Sequence, residues 1–129
     1  MSACNITITT TADGVQSRIC KTGEWTSDVA VFACLSYQEE QASVQILIKK
    51  GEVQIQRKGD YTLRLTLREG ELLQGHIGIG GSEGEVFTNT KKIEYVLKEK
   101  SVLLFAHYLL IIGCEEQEMK IRLKAERID

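Results

Sequence analysis

Proline is absent from the 129-residue sequence, and no apolar run is long. Because proline removes a backbone donor from a hydrogen-bonded sheet, its absence favours uninterrupted strands. A membrane-spanning helix needs about 20 apolar residues, which no segment supplies. The first ten residues also lack the charged start and apolar run of a secretory signal. We therefore expect a cytoplasmic protein with no membrane partner.

Cysteine and histidine are few and widely spaced. They occur at Cys4, Cys20, Cys34, Cys114, His76 and His107. A zinc site normally shows at least one close pair of ligands, and no Cys-x-x-Cys pair is present. In a cytoplasmic protein, scattered cysteines indicate reduced, structural thiols rather than disulfides. The sequence therefore predicts neither a metal site nor a cofactor.

Charge of one sign is not concentrated along the chain. The net charge is −2, from 16 basic and 18 acidic residues, and the short basic pairs Lys49-Lys50 and Lys91-Lys92 have acids nearby. Proteins that neutralise phosphates usually gather Lys and Arg on one face. We therefore expect no nucleic-acid partner. The composition, 43% hydrophobic and 26% charged, is that of one globular domain, predicted to cover residues 1–129.

Turn-forming segments recur about every ten residues and separate stretches of β-branched and apolar residues. The predicted strands include residues 44–48, 53–56, 61–67, 72–79 and 102–112. An open sheet of so many strands would leave two long exposed edges, which closure removes. The sequence therefore predicts an all-β fold, a single closed antiparallel up-and-down barrel of about 8–10 strands. Its interior is either filled by side chains or hollow enough for one small ligand.

Several segments fit more than one structure. Residues 29–35 and 102–112 are apolar on both faces, which predicts a second covering layer or an oligomer contact. A buried helix is the alternative for residues 102–112, although flanking turns favour a strand. Residues 12–21 fit a short helix or an irregular strand, and the strand boundaries within residues 88–93 stay open. Trp25 is expected to plug one barrel end, the alternative being an exposed contact.

The order of features from Val29 onward resembles a family of uncharacterised bacterial proteins, the YwiB-like domain-of-unknown-function family. The matching pieces are residues 35–40 (LSYQEE), 53–59 (VQIQRKG), 84–90 (GEVFTNT) and 107–110 (HYLL), and residues 5–9 resemble its first strand. The resemblance implies a calycin-like (lipocalin-like) β-barrel in a bacterial cytoplasm. The family has no established activity or catalytic residues to transfer, and shape alone does not imply function.

The main candidate site follows from strand parity. Arg57 shares a face with Val53 and Ile55, while Tyr37 and Glu39 share a face with Leu35. If those faces point inward, Arg57 can bind a carboxylate or phosphate, with Tyr37 donating a hydrogen bond and Glu39 holding the guanidinium. The favoured alternative is an internal Arg–Glu pair at the barrel mouth, or an Arg that reaches water.

Other polar positions are weaker candidates. Tyr108 is included as a ligand-binding candidate because either it or His107 must lie on the buried side of its strand; a single satisfying hydrogen bond is the alternative. His76 is expected on the solvated outer face. The glycines from Gly75 to Gly81 lack the spacing of a phosphate-binding loop. They are expected to allow either close backbone approach or the sharp coiling of the sheet that closure requires, so Gly78→Val should disturb the barrel.

These observations favour a non-enzymatic binding module for a small apolar or amphipathic ligand. The alternative is a structural or interaction protein that acts as a homodimer through its outer surface, including one face of residues 102–112. A small enzyme with its site at the barrel mouth ranks last, because no nucleophile, acid–base pair or cofactor loop is evident and no catalytic residue is predicted.

Overall fold

The computed structural model describes residues 2–128, which form ten strands joined by short turns and contain no helix. Met1 and Asp129, the ends of the predicted domain range, lie outside the described residues. The strands are β1 (Ser2–Ala12), β2 (Val15–Thr26), β3 (Ala33–Glu39), β4 (Ala42–Lys49), β5 (Glu52–Gly59), β6 (Tyr61–Leu67), β7 (Leu72–Ile79), β8 (Ser82–Leu97), β9 (Ser101–Ile112) and β10 (Glu115–Arg127).

Every strand pairs antiparallel with its neighbours in sequence, and β1 pairs with β10 to close the ring. The β1–β10 register runs from Cys4 opposite Arg127 to Ala12 opposite Met119. The prediction of a closed antiparallel up-and-down barrel is therefore confirmed. Closure pairs the edges that an open meander would leave exposed.

The weakest junction of the ring lies between β2 and β3, which share only three residue pairs, from Glu24 opposite Ser36 to Thr26 opposite Cys34. By comparison, β1 and β2 share eleven pairs. Gly23 lies at the point where β2 and β3 diverge, and a Cβ atom there would collide with the Ser36 carbonyl oxygen. Glycine therefore permits the backbone approach that this junction needs.

Burial of the inward-facing residues differs between the two barrel ends. We call the end with the Lys50-Gly51 turn the lower end and the end with the Gly80-Gly81 turn the upper end. Inward residues near the lower end are fully buried and fill the barrel; they include Leu35, Ile48, Val53, Leu67 and Val102. Those nearer the upper end pack on this core but stay partly exposed; they include Ile19, Leu63, Ile77, Met119 and Ile121. The barrel is thus packed below and looser above.

Trp25 is 3% exposed and lies inward at the lower end, as a plug for that end requires. The Arg127 guanidinium carbon lies 4.2 Å from the centre of the Trp25 ring, so a cation–π contact covers it.

The segment at residues 12–21 is a β-hairpin rather than a short helix. Asp13 and Gly14 form its turn with positive φ angles, and the Asp13 carboxylate accepts a hydrogen bond from the Glu118 amide at 2.8 Å.

Residues 102–112 form strand β9, as predicted, and not a buried helix. Residues 29–32, which were predicted to lie under a second layer or at an oligomer contact, belong to the loop before β3, where Val29 is 98% exposed. No second layer covers either segment among residues 2–128, because all strands belong to the one barrel. Residues 88–93 lie within the continuous strand β8, where a bulge between Thr90 and Lys92 shifts the register.

The close backbone approach expected along β7 occurs at Gly75 and not at Gly78. A Cβ atom on Gly75 would lie 2.5 Å from the Arg64 carbonyl oxygen, whereas one on Gly78 would meet nothing closer than 3.7 Å. The expectation that Gly78 is the sensitive position is therefore corrected, because Gly78 has room for a side-chain carbon.

We expect Gly75→Ala to lower the free energy of unfolding by about 1–3 kcal/mol, because the added carbon forces β6 and β7 apart. Gly78→Ala is the matched control and should leave stability unchanged or slightly raised. Urea titration followed by circular dichroism measures both. Equal stability of the two variants would contradict the close approach at Gly75.

Candidate functional site

The predicted cluster of Arg57, Tyr37 and Glu39 is brought together near the upper end of the barrel. Arg57 Nε lies 3.7 Å from Glu39 Oε2, and Arg57 Nη2 lies 2.8 Å from Asp60 Oδ1. The guanidinium also donates a hydrogen bond of 2.8 Å to the Tyr61 carbonyl and stacks 3.7 Å from the centre of the Tyr61 ring. Its side chain is only 14% exposed. Arg57 is therefore held from several sides by the protein itself.

Tyr37 is buried beside these charges. Burial raises the pKa of the Tyr37 phenol to about 12, with the Glu39 carboxylate adding to the shift and Arg57 opposing it. The hydrogen bond from Arg57 lowers the pKa of Asp60. Tyr37 is thus a neutral hydroxyl next to a compensated ion pair at ordinary pH.

Tyr108 does not join this cluster. It faces the interior from β9, in register with Thr90 on β8 and Met119 on β10. Those strands lie across the ring from β3, β4 and β5. Burial alone raises the pKa of Tyr108, with no contribution from a neighbouring charge. Tyr108 is a core residue here, and its role in ligand binding stays a prediction.

A surface groove lies on the outside of the barrel. This outer groove has a volume of about 640 Å³ and is formed by β1, β2, β8, β9 and β10. Its lining is Thr7, Thr9, Arg18, Glu94, Tyr95, Val96, Leu103, Leu104, Phe105, Arg122, Leu123, Lys124 and Glu126.

The floor of the outer groove is apolar although it faces outward. Val96 is 50% exposed, Leu103 is 44% exposed, and Phe105 is half-buried beside them. The outward face of a strand in a closed sheet is normally polar, since it meets water. An exposed apolar floor within a concave surface is typical of a binding site.

The rim of the outer groove carries two arginines in one cross-strand row. Thr9 on β1 is the direct register partner of both Arg18 on β2 and Arg122 on β10. Among residues 2–128, neither Arg18 nor Arg122 has a carboxylate oxygen within 4 Å, the distance that defines the ion pairs found here. The Arg122 guanidinium lies 4.8 Å from the centre of the Phe105 ring.

The acids of the outer groove already have cationic partners. Glu94 Oε1 lies 2.8 Å from Lys92 Nζ, and Glu126 Oε1 lies 3.0 Å from Lys124 Nζ. The local charge that remains uncompensated is therefore positive.

Sequence reasoning missed this row because its members are far apart in the chain. The alternation at residues 119–125 does indicate a wet face that contains Arg122 and Lys124. It carries no information about which strand lies alongside. Arg18 falls in the segment that was left open between helix and strand, so its face could not be assigned.

The other polar groups of the described chain form no catalytic constellation. His76 lies on the outer face, 3.7 Å from Glu83, as expected, and His107 lies 3.4 Å from Glu118. All four cysteines are free thiols, with Cys4 buried. Within residues 2–128, no group of three or more His, Cys, Asp or Glu side chains is placed to hold a metal ion. That range also contains no helix long and apolar enough to cross a membrane.

Fold and surface together define a closed ten-stranded antiparallel barrel with a basic, apolar-floored groove on its outside. The chain belongs to the family described as Domain of unknown function (DUF1934), which it matches over residues 4–124. The crystal structure of the ywiB protein from Bacillus subtilis is similar, with a TM-score of 0.85 and 20% sequence identity over 99% of this chain and 93% of that chain. The predicted YwiB-like family is thus confirmed, and at this identity the structural likeness concerns the fold alone. No curated protein matches the chain.

Arg57 can be tested as a structural cap of the barrel mouth. We expect Arg57→Met to lower the free energy of unfolding by about 1–2 kcal/mol, because the Tyr61 carbonyl, Glu39 and Asp60 lose their cationic partner. Lys58→Met, which removes an adjacent exposed cation, is the control and should change stability little. Urea unfolding at neutral pH measures both variants. An unchanged Arg57→Met protein would instead favour the ligand-anchoring role.

Proposed function

We propose that this protein is a non-enzymatic binding protein of the bacterial cytoplasm that holds a small amphipathic molecule in the outer groove. The observation that carries the proposal is the apolar floor of Val96, Leu103 and Phe105, exposed inside a concave surface. A volume of about 640 Å³ lies within the range of roughly 300–1,000 Å³ that is usual for small-molecule pockets.

The distribution of apolar and polar groups supports an amphipathic ligand. An apolar segment of the ligand would remove the Leu103 and Phe105 side chains from water, which is favourable by about 25 cal/mol per Å². The rim of Thr9, Arg18 and Arg122 would receive a polar end. Four free thiols support the cytoplasmic setting, because disulfides are rare in that reducing compartment.

Two observations favour the outer groove over the barrel interior as the binding surface. The lower interior is filled by fully buried side chains such as Ile48 and Val102. At the upper end, the guanidinium of Arg57 is already engaged by Asp60 and the Tyr61 carbonyl. The lipocalin-like expectation of a ligand inside the barrel, anchored by Arg57, Tyr37, Glu39 and Tyr108, is the alternative placement of the same function.

A second candidate function is self-association through the outer face of β9. Four of the six outward residues of this strand are apolar: Leu103 is 44% exposed, and Phe105, Leu109 and Ile111 are half-buried. A dimer about a two-fold axis would bury this same face on both copies. Sedimentation velocity over a hundredfold range of concentration would detect the dimer. A monomer throughout would remove this candidate.

The groove is tested with the neutral dye Nile red, whose fluorescence rises in apolar surroundings. We expect the wild-type protein to bind the dye and Leu103→Asp to weaken binding at least about tenfold, because a bound dye would cover the carboxylate and remove it from water. Leu72→Asp is the matched control, since Leu72 is 61% exposed on β7 and lies outside the groove. Equal binding by both variants would contradict a binding site in the outer groove.

A further inference from the structure

We propose that the polar end of the ligand in the outer groove is a phosphate group, held by the guanidinium groups of Arg18 and Arg122 on either side of the Thr9 hydroxyl. The ligand class is then a phosphomonoester with an alkyl or aryl substituent. This inference rests on the proposed binding function of the same groove. It adds the chemistry that would select the ligand.

The register places these three side chains in one row on one face. Thr9 is paired with Arg18 on one side and with Arg122 on the other, so the two arginines lie two strand spacings apart, about 10 Å between Cα atoms. Arginine side chains are long enough for both guanidinium groups to reach one tetrahedral anion above Thr9. The threonine hydroxyl supplies a further donor at the centre of the row.

The electrostatics of the row favour an anion. Neither arginine has a carboxylate partner within the described residues, while Glu94 and Glu126 are each paired with a lysine. A bound anion would therefore not compete with an existing ion pair. The Arg122 guanidinium stacks on the Phe105 ring of β9, which lies on the side of β10 away from Thr9, and such stacking leaves its N–H edge open for hydrogen bonds.

Two guanidinium groups and a hydroxyl match a phosphate better than a carboxylate. One arginine fork satisfies both oxygens of a carboxylate, whereas a phosphomonoester presents three oxygens and close to two negative charges at neutral pH. The apolar floor at Leu103 and Val96 adjoins the row through Phe105, so the substituent of the phosphate would lie there. Both parts of the groove are then used by one molecule.

The test compares octyl phosphate, octanoate, octanol and inorganic phosphate by calorimetric titration of the wild-type protein at low ionic strength. We expect octyl phosphate to bind at least about tenfold more tightly than octanol or octanoate, since hydrogen bonds between charged groups dominate the difference. Octyl phosphate should also exceed inorganic phosphate, because only the ester uses the apolar floor. Equal affinity for octyl phosphate and inorganic phosphate would overturn the proposal of a phosphomonoester ligand and would assign the arginine row to free phosphate.

Variants then locate the phosphate. Arg18→Gln and Arg122→Gln should each weaken octyl phosphate about tenfold, and Thr9→Val severalfold, while Nile red binding stays unchanged. Arg64→Gln is the matched control, because Arg64 is an exposed arginine on the outer face of β6, outside the groove. A loss for Arg64→Gln as large as for the groove variants would show non-specific charge attraction and overturn the assignment.

The two proposals fail in different ways. If Nile red binds and is lost in Leu103→Asp, but octyl phosphate binds no better than octanol, the binding function stands and the phosphate assignment is wrong. In the opposite case, octyl phosphate binding depends on Arg18 and Arg122, while Leu103→Asp changes neither Nile red nor octyl phosphate binding. The anion site then stands, and the assignment of the apolar floor as a binding surface is wrong.

Discussion

Closure of the sheet is the constraint on which the rest of this molecule depends. Each strand has two edges of backbone donors and acceptors, and pairing β1 with β10 satisfies the edges that the chain would otherwise expose. The same pairing brings the beginning and the end of the chain side by side. Because Thr9 then lies between Arg18 and Arg122, the candidate anion site is a direct product of closure.

Closure also separates an inside from an outside, and the two carry different chemistry. The lower interior is a packed aliphatic core sealed by Trp25, and the mouth cluster around Arg57 is internally compensated. The outside of β8, β9 and β10 combines exposed apolar side chains with positive charge. The concave apolar surface thus lies across the long strands on the outside of the barrel, whereas the lower interior is filled.

Local pattern predicted most of the fold but misplaced some details. Strands β6 and β7 were predicted with the bounds that the structure has, because alternation and flanking turns are local signals. The apolar segment at Val29 was misread, since hydrophobicity alone does not distinguish an exposed loop from a buried strand. Gly75 and Gly78 look alike in sequence, and only the position of the Arg64 carbonyl on β6 distinguishes them.

The sequence by itself determined the fold class, the closed ring and the shared strand face of Arg57 and Val53. These properties follow from period-two alternation and turn residues, which are local patterns in the sequence, and from the free-energy cost of unpaired strand edges. Only the tertiary structure decided that Arg57 is compensated by Asp60, and that Arg18 and Arg122 share a row. For the row, the physical reason is that register and ring order decide which residues are cross-strand neighbours, and they join Thr9 to Arg122 across more than a hundred positions. For Arg57 and Asp60, three positions apart, the reason is the side-chain geometry at the turn between β5 and β6.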